Sequence, residues 1–211
     1  MDHKKIGKQI NTMKIVSIDG NIGAGKTTML NKYYQAYKQH CIIITEPIDK
    51  WRDLLQKAVQ NPKKHVFELQ RVILQHFKHV QKEINAYIKN NKHKNKIVIV
   101  ERSAMSSICI FAQIYLEKQI LTQQQYQQLK AVYKQINIMY DLRILIDTKP
   151  HICLQRIKKR NRECERSLTI QYLQSIDENQ RRMYNKMECT SIIIDGNKQI
   201  SDVFSNLVKS I

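Results

Sequence analysis

The run IVSIDGNIGAGKTTML, residues 15–30, constrains this chain more than any other segment. The chain has only five glycines, and Gly20, Gly23 and Gly25 fall here. The apolar run Ile15-Val16-Ser17-Ile18 reads as a short buried strand, and Met29 to Tyr34 reads as the start of a helix. Between them the spacing is Gly20-x-x-x-x-Gly25-Lys26-Thr27, the P-loop pattern. Glycine lets the backbone curl so that successive N–H groups point inward. The helix that follows adds its positive N-terminal end. Gly20, Asn21, Ile22, Gly23, Ala24, Gly25, Lys26, Thr27 and Thr28 are therefore expected to cradle a nucleoside triphosphate such as ATP. Lys26 would reach the outer phosphates, and the Thr27 hydroxyl would ligate Mg²⁺.

The rest of the chain alternates as such a loop requires. Strands are expected near 14–19, 41–45, 97–100, 142–146 and 191–194. Helices are expected to about 39, then near 50–60, 62–90, 103–119, 122–138, from Pro150, and near 169–187 and 201–210. Thr122 suits an N-cap and Pro150 a first helical turn. Short apolar strands separated by helices imply an α/β fold, a five-stranded parallel sheet covered on both faces. A polar tail is expected over 1–13 and a single domain over 14–211.

Other features narrow the class. No apolar run is long enough to span a bilayer, and the first dozen residues lack the apolar segment of a secretory signal. The cysteines Cys41, Cys109, Cys153, Cys164 and Cys189 are odd in number and scattered. That argues against a disulfide framework or zinc site and for a reducing, cytoplasmic compartment. The net charge is +18, yet only 156–166, RIKKRNRECER, forms a dense basic block. The charge is read as a lysine-rich surface around a site for anionic substrates, and nucleic acid is not the expected partner.

Ligands of parallel α/β sheets bind beyond the carboxyl ends of the strands. After the second strand comes Glu46-Pro47, with Trp51 five residues on, and after the third comes Glu101-Arg102-Ser103. Glu101 is placed to serve Mg²⁺, Glu46 to accept a proton from an attacking hydroxyl, and Arg102 to neutralise a transferring phosphoryl group. Arg156, Arg160 and Arg162, read as following a helix, form a segment able to close over the nucleotide.

Taken in order, GNIGAGKTT, EPIDKW, NPKKHVFELQ, ERSAMSSICIF, RIKKRNRECE and IIIDGN resemble the motifs of the deoxynucleoside kinase family. The resemblance covers nearly the whole chain after about residue 13. It implies a P-loop kinase three-layer sandwich with an arginine-rich lid, ATP as phosphate donor, Mg²⁺, a small-molecule deoxynucleoside acceptor and a homodimer. It further implies that Glu46 is the general base for the 5′-hydroxyl and that Arg102 positions the 5′ end. Trp51 would pack beside the base, Gln70 would bind its edge, Phe111 would stack on it, and Glu165 would hold the 3′-hydroxyl. Arg156 would lie on the adenine, Arg160 and Arg162 at the phosphates, and the loop at Asp195 would meet adenine. Three departures are Val59, near which relatives carry a tyrosine that shares the 3′-hydroxyl, Cys164, where they carry the first glutamate of the lid pair, and Ile108, where they usually carry an arginine. Phe77 and Ser107 stand where purine-accepting relatives carry an arginine and an aspartate, which implies a pyrimidine preference. A nucleoside monophosphate kinase and a nucleic-acid-binding P-loop NTPase are the alternatives, and ERS after the third strand argues against the former.

Overall fold

The computed structural model describes residues 13–90, 93, 95–187 and 189–211. The polar tail expected over 1–13 lies outside the described residues apart from Met13. In order the elements are β1 (Lys14–Gly20), α1 (Lys26–Tyr37), β2 (Cys41–Ile44), a 3₁₀ turn (Ile48–Trp51), α2 (Arg52–Gln60), α3 (Pro62–Lys89) and β3 (Ile97–Glu101). A helix in three parts follows: α4 (Ala104–Ser106), a π-turn (Ser107–Ala112) and α5 (Gln113–Glu117). Then come α6 (Gln123–Tyr133), β4 (Leu142–Asp147), α7 (Pro150–Arg160), a second 3₁₀ turn (Glu163–Glu165), α8 (Ile170–Asn185), β5 (Ser191–Asp195) and α9 (Ile200–Ser210).

The five strands are parallel, in the order β2-β3-β1-β4-β5. The apolar strand runs are explained by burial on both faces. Along β1, Ile15 packs with Val98 and Val100 into one core, under α2, α3 and α6. Its neighbours Val16 and Ile18 pack with Ile99 and Ile144 into the other, under α1, α7, α8 and α9. Side chains alternate across a strand, so one sheet serves both cores.

This order positions the site. β1 is central, between β3 and β4, and its register sets Ile18 beside Glu101. β2 pairs with the far side of β3 and ends two residues before Glu46. The P-loop, Glu101 and Glu46 therefore leave three adjoining strands at the same end.

Several boundaries differ from expectation. Thr122 caps α6, with Gln125 completing a reciprocal capping box, but the helix stops at Tyr133 rather than near 138. The following residues are held from outside: Gln135 accepts from Lys78 Nζ at 2.6 Å, Asn137 N donates to Gln81 Oε1 at 2.7 Å, and Ile136 and Ile138 pack on the core without helical backbone. The segment before α2 is a 3₁₀ turn, because Pro47 precedes it and Trp51 is buried rather than on a regular helix face. Arg156 and Arg160 ride on α7 instead of following it. That helix ends at Asn161, whose φ of 52° is a left-handed C-cap.

Candidate active site

The P-loop has the backbone that its glycines allow. Gly23 and Gly25 sit at φ 80° and 100°, and a Cβ on Gly23 would lie 2.6 Å from the Cys153 carbonyl oxygen. Lys26 is buried, and its Nζ donates to the carbonyls of Gly20 (3.0 Å) and Asn21 (2.9 Å). Burial, and next the charge of Arg102, lower its pKa to about 8, against the pull of Glu101, Glu46 and Asp19.

Thr27 Oγ1 donates to Glu101 Oε1 at 2.6 Å, and the Glu46 N–H points to Glu101 Oε2 at 3.4 Å. A hydroxyl and a carboxylate side by side are hard oxygen donors of the kind Mg²⁺ takes alongside phosphate oxygens and water. Among the described residues no group of three or more His, Cys, Asp or Glu stands ready to hold a metal.

Arg102 has a left-handed backbone, φ 68°, which a non-glycine residue adopts only where its surroundings hold it. Its N–H donates to Ile18 O at 2.9 Å, its Nε to Glu46 Oε2 at 2.9 Å and its Nη1 to Gly20 O at 3.1 Å. The guanidinium lies 5.0 Å from the centre of the Phe111 ring. The strained residue thus ties the end of β3 to the P-loop and to Glu46. Asp19, which sequence reasoning missed, anchors the same turn. It is fully buried and accepts from Ser103, Ser106 and Tyr184. The signal was present as an aspartate inside an otherwise apolar strand.

Two cavities open on either side of the P-loop. The first, of about 150 Å³, is lined by every expected acceptor residue: Glu46, Trp51, Gln70, Phe77, Arg102, Ser107, Phe111 and Glu165. Lys26, Thr27, Glu101, Arg160 and Arg162 line it as well, with Val59 and Cys164. Its charged groups gather at the P-loop and lid end. The other end is largely apolar and uncharged, and there Gln70 Oε1 accepts from Ser107 Oγ at 3.0 Å. Tyr115 and Tyr172 also line it, and no spacing in the sequence singled them out. At the lid, Glu165 takes Arg160 at 2.5 Å and Arg162 at 3.6 Å, so one acid holds both arginines over the cavity.

The second cavity, of about 440 Å³, is lined by Gly23, Ala24, Gly25, Thr28, Arg156, Arg160, Gly196 and Lys198, among others. Arg156 bridges the Ala24 carbonyl (3.1 Å) and the Gly196 carbonyl (3.0 Å), fastening the P-loop to the loop after β5. Asp195 is not part of this lining. Its carboxylate is exposed and turned onto Asn197, accepting from the backbone N–H at 3.0 Å and from Nδ2 at 2.6 Å. Gly23 and Arg160 line both cavities, which therefore meet at the P-loop. An anhydride held in one cavity and a hydroxyl in the other can be brought in line there.

The deoxynucleoside kinase family profile matches residues 16–211. A putative deoxynucleoside kinase of Frog virus 3 is 28% identical over 162 residues, covering 77% of this chain and 78% of the relative. Human mitochondrial thymidine kinase 2 is 25% identical over 173 residues, covering 77% and 61%. A solved deoxyadenosine kinase from M. mycoides, with dCMP and a flexible dCDP bound, superposes with a TM-score of 0.77 at 19% identity, covering 92% of this chain and 96% of that one. The chain belongs to the deoxynucleoside kinase family, phosphotransferases whose acceptor is a nucleoside hydroxyl.

Proposed function

We propose that residues 14–211 act as one catalytic domain, which transfers the γ-phosphoryl group of Mg²⁺-bound ATP to the 5′-hydroxyl of a pyrimidine deoxynucleoside. The observation that carries this reading is the Glu46–Arg102 pair, 2.9 Å apart, where the acceptor cavity meets the P-loop. Glu46 would accept the proton as the hydroxyl attacks, and Arg102 would hold the 5′ end. ATP would lie along the second cavity, its phosphates on the P-loop amides, Lys26, Arg160 and Arg162, its adenine beside Arg156. Thr27 and Glu101 would hold Mg²⁺, which neutralises charge on the phosphates. In the acceptor cavity Trp51 and Phe111 would flank the base, Gln70 would read its edge, and Glu165 would take the 3′-hydroxyl.

Base preference follows from the apolar end of the cavity. Phe77 is 3% exposed and narrows it, and Ser107 is small, neutral and already committed to Gln70. Neither offers the charged contact that a purine edge would exploit. A buried thymine methyl adds roughly 0.8 kcal/mol, or about fourfold in affinity. With ATP and Mg²⁺, kcat/KM should therefore be highest for thymidine, slightly lower for deoxycytidine, and lower still for deoxyadenosine and deoxyguanosine. Deoxyguanosine as the best substrate would overturn the base assignment. Turnover of deoxynucleoside monophosphates in preference to deoxynucleosides would overturn the acceptor assignment.

The homodimer is proposed on one face. A groove of about 750 Å³ runs between the Met105 to Gln113 stretch and α8, lined by Met105, Cys109, Met183, Met187 and Met139, the last 76% exposed, with Arg143, Arg182 and Lys186 among them. Adaptable apolar side chains on an open face suit a second copy of the chain. Light scattering should give twice the chain mass, and Met139→Glu should shift the population toward monomer. A monodisperse monomer at micromolar concentration would contradict the dimer. No helix among the described residues is long and apolar enough to cross a membrane.

A further inference from the structure

Two residues of the acceptor cavity wall, Tyr115 and Tyr172, have no task in the roles above. Ser107, Phe111 and Tyr115 follow one another at four-residue spacing, and all three line the cavity. On a regular α-helix a residue eight places on is turned away by about 80°. The π-turn at Ser107–Ala112 is wider, and this underwinding keeps Tyr115 on the wall with the other two. π-turns of this kind recur at functional sites.

Tyr115 meets Tyr172 from α8. Their hydroxyl oxygens are 3.0 Å apart and their ring centres 6.3 Å. Burial raises the pKa of both phenols, Tyr172 well above its ordinary value, so both stay protonated. Two protonated hydroxyls carry two protons, and their mutual hydrogen bond uses one. Neither hydroxyl has a second protein partner among the described residues. The pair therefore offers one neutral donor to whatever fills the cavity.

Under the proposed function, Gln70 reads the base edge, Glu46 and Arg102 take the 5′ end, and Glu165 takes the 3′-hydroxyl. The acceptor of a pyrimidine nucleoside left without a protein donor is the 2-carbonyl oxygen. We infer that the Tyr115–Tyr172 pair donates a hydrogen bond to this oxygen, which makes it a second base-binding contact beside Gln70. A purine presents its N3 acceptor at the corresponding place, so the pair serves binding and leaves the choice between pyrimidine and purine to Phe77 and Ser107. The inference rests on the nucleoside-kinase reading.

The test compares thymidine with 2-thiothymidine, whose sulfur is a poorer acceptor, in wild type, Tyr115→Phe, Tyr172→Phe and the double variant. A neutral hydrogen bond corresponds to about a threefold to tenfold change in kcat/KM. Wild type should lose that factor on 2-thiothymidine. The double variant should lose it on thymidine and then treat the two substrates nearly alike, with its thermal midpoint and ATP binding measured alongside to confirm the fold. An equal penalty for 2-thiothymidine in wild type and double variant overturns the inference. So does a variant defect that vanishes with 3′-deoxythymidine, which would place the pair on the sugar. Wild type that turns over none of these nucleosides overturns the kinase reading and this inference with it.

Discussion

Glu46→Gln should lower kcat for deoxynucleoside phosphorylation by about 10²–10⁴-fold, the range lost when a positioned general base is removed. The substitution is chosen because it keeps shape. Glu46 Oε2 accepts from Arg102 Nε at 2.9 Å, and a glutamine oxygen can accept the same bond. The Glu46 backbone N–H toward Glu101 is untouched. What disappears is the ability to take the proton of the attacking hydroxyl. The loss should appear in kcat and kcat/KM together, because the interaction is made in the transition state. Affinity for ATP, measured by calorimetry, should change little, since no Glu46 atom lines the cavity beyond the P-loop. A variant with wild-type kcat and a lowered thermal midpoint would make Glu46 only the partner that holds Arg102 in its strained turn.

Residues with one dominant physical constraint were legible before any coordinates. Gly23 and Gly25 announce themselves because both take a left-handed backbone, and Gly23 in addition approaches Cys153 too closely for any side chain. Glu46 and Glu101 are acids at the ends of apolar strands, and alternation alone says that both ends face the same way. What stayed hidden depends on long-range packing. The strand order, with β1 between β3 and β4, is set by crossovers that leave no local pattern. The end of α6 at Tyr133 depends on Lys78 and Gln81 of α3, more than fifty residues earlier. The π-turn is one such case: SICIFA looks like ordinary buried helix, and only the cavity shows why Tyr115 must face the same way as Phe111. Asp195 stands outside the cavity lining for a local reason, since Asn197 two residues on satisfies its carboxylate and leaves the neighbouring Gly196 and Lys198 to line the cavity. Asp19 shows the reverse: a buried acid was visible in the sequence, but its partners Ser103, Ser106 and Tyr184 come from distant segments.

Lys26→Met should abolish phosphoryl transfer and also change how stability depends on pH. The catalytic part follows from charge: the ammonium is the fixed positive group at the base of the P-loop, and losing one preorganised donor to developing charge costs about 10²–10³-fold or more. The stability part follows from burial. The folded pKa of Lys26 is lowered from 10.5 to about 8. Between these values the unfolded chain holds a proton that the folded chain has released. Stability therefore rises with pH across this window, and the penalty is felt in full below pH 8. At roughly 1.36 kcal/mol per pKa unit, the penalty is about 3 kcal/mol. Methionine occupies a similar apolar path without the charge, although it gives up the bonds to the Gly20 and Asn21 carbonyls. Urea unfolding at pH 7.5 and pH 10 should show wild type gaining stability relative to Lys26→Met as pH rises. The comparison isolates Lys26 and its effect on the neighbouring Cys153, because the buried Tyr140 and Tyr184, whose pKa values burial raises and which Lys26 does not influence, act in the opposite sense and equally in both proteins. A bound triphosphate adds negative charge to that which the buried ammonium already feels from Glu101, Glu46 and Asp19. ATP should therefore raise the thermal midpoint of wild type more at pH 7.5 than at pH 10, and that pH dependence should be lost in the variant. Equal pH slopes in the two proteins would mean that Lys26 keeps an ordinary pKa in the fold, and wild-type turnover by Lys26→Met would remove the P-loop from the mechanism.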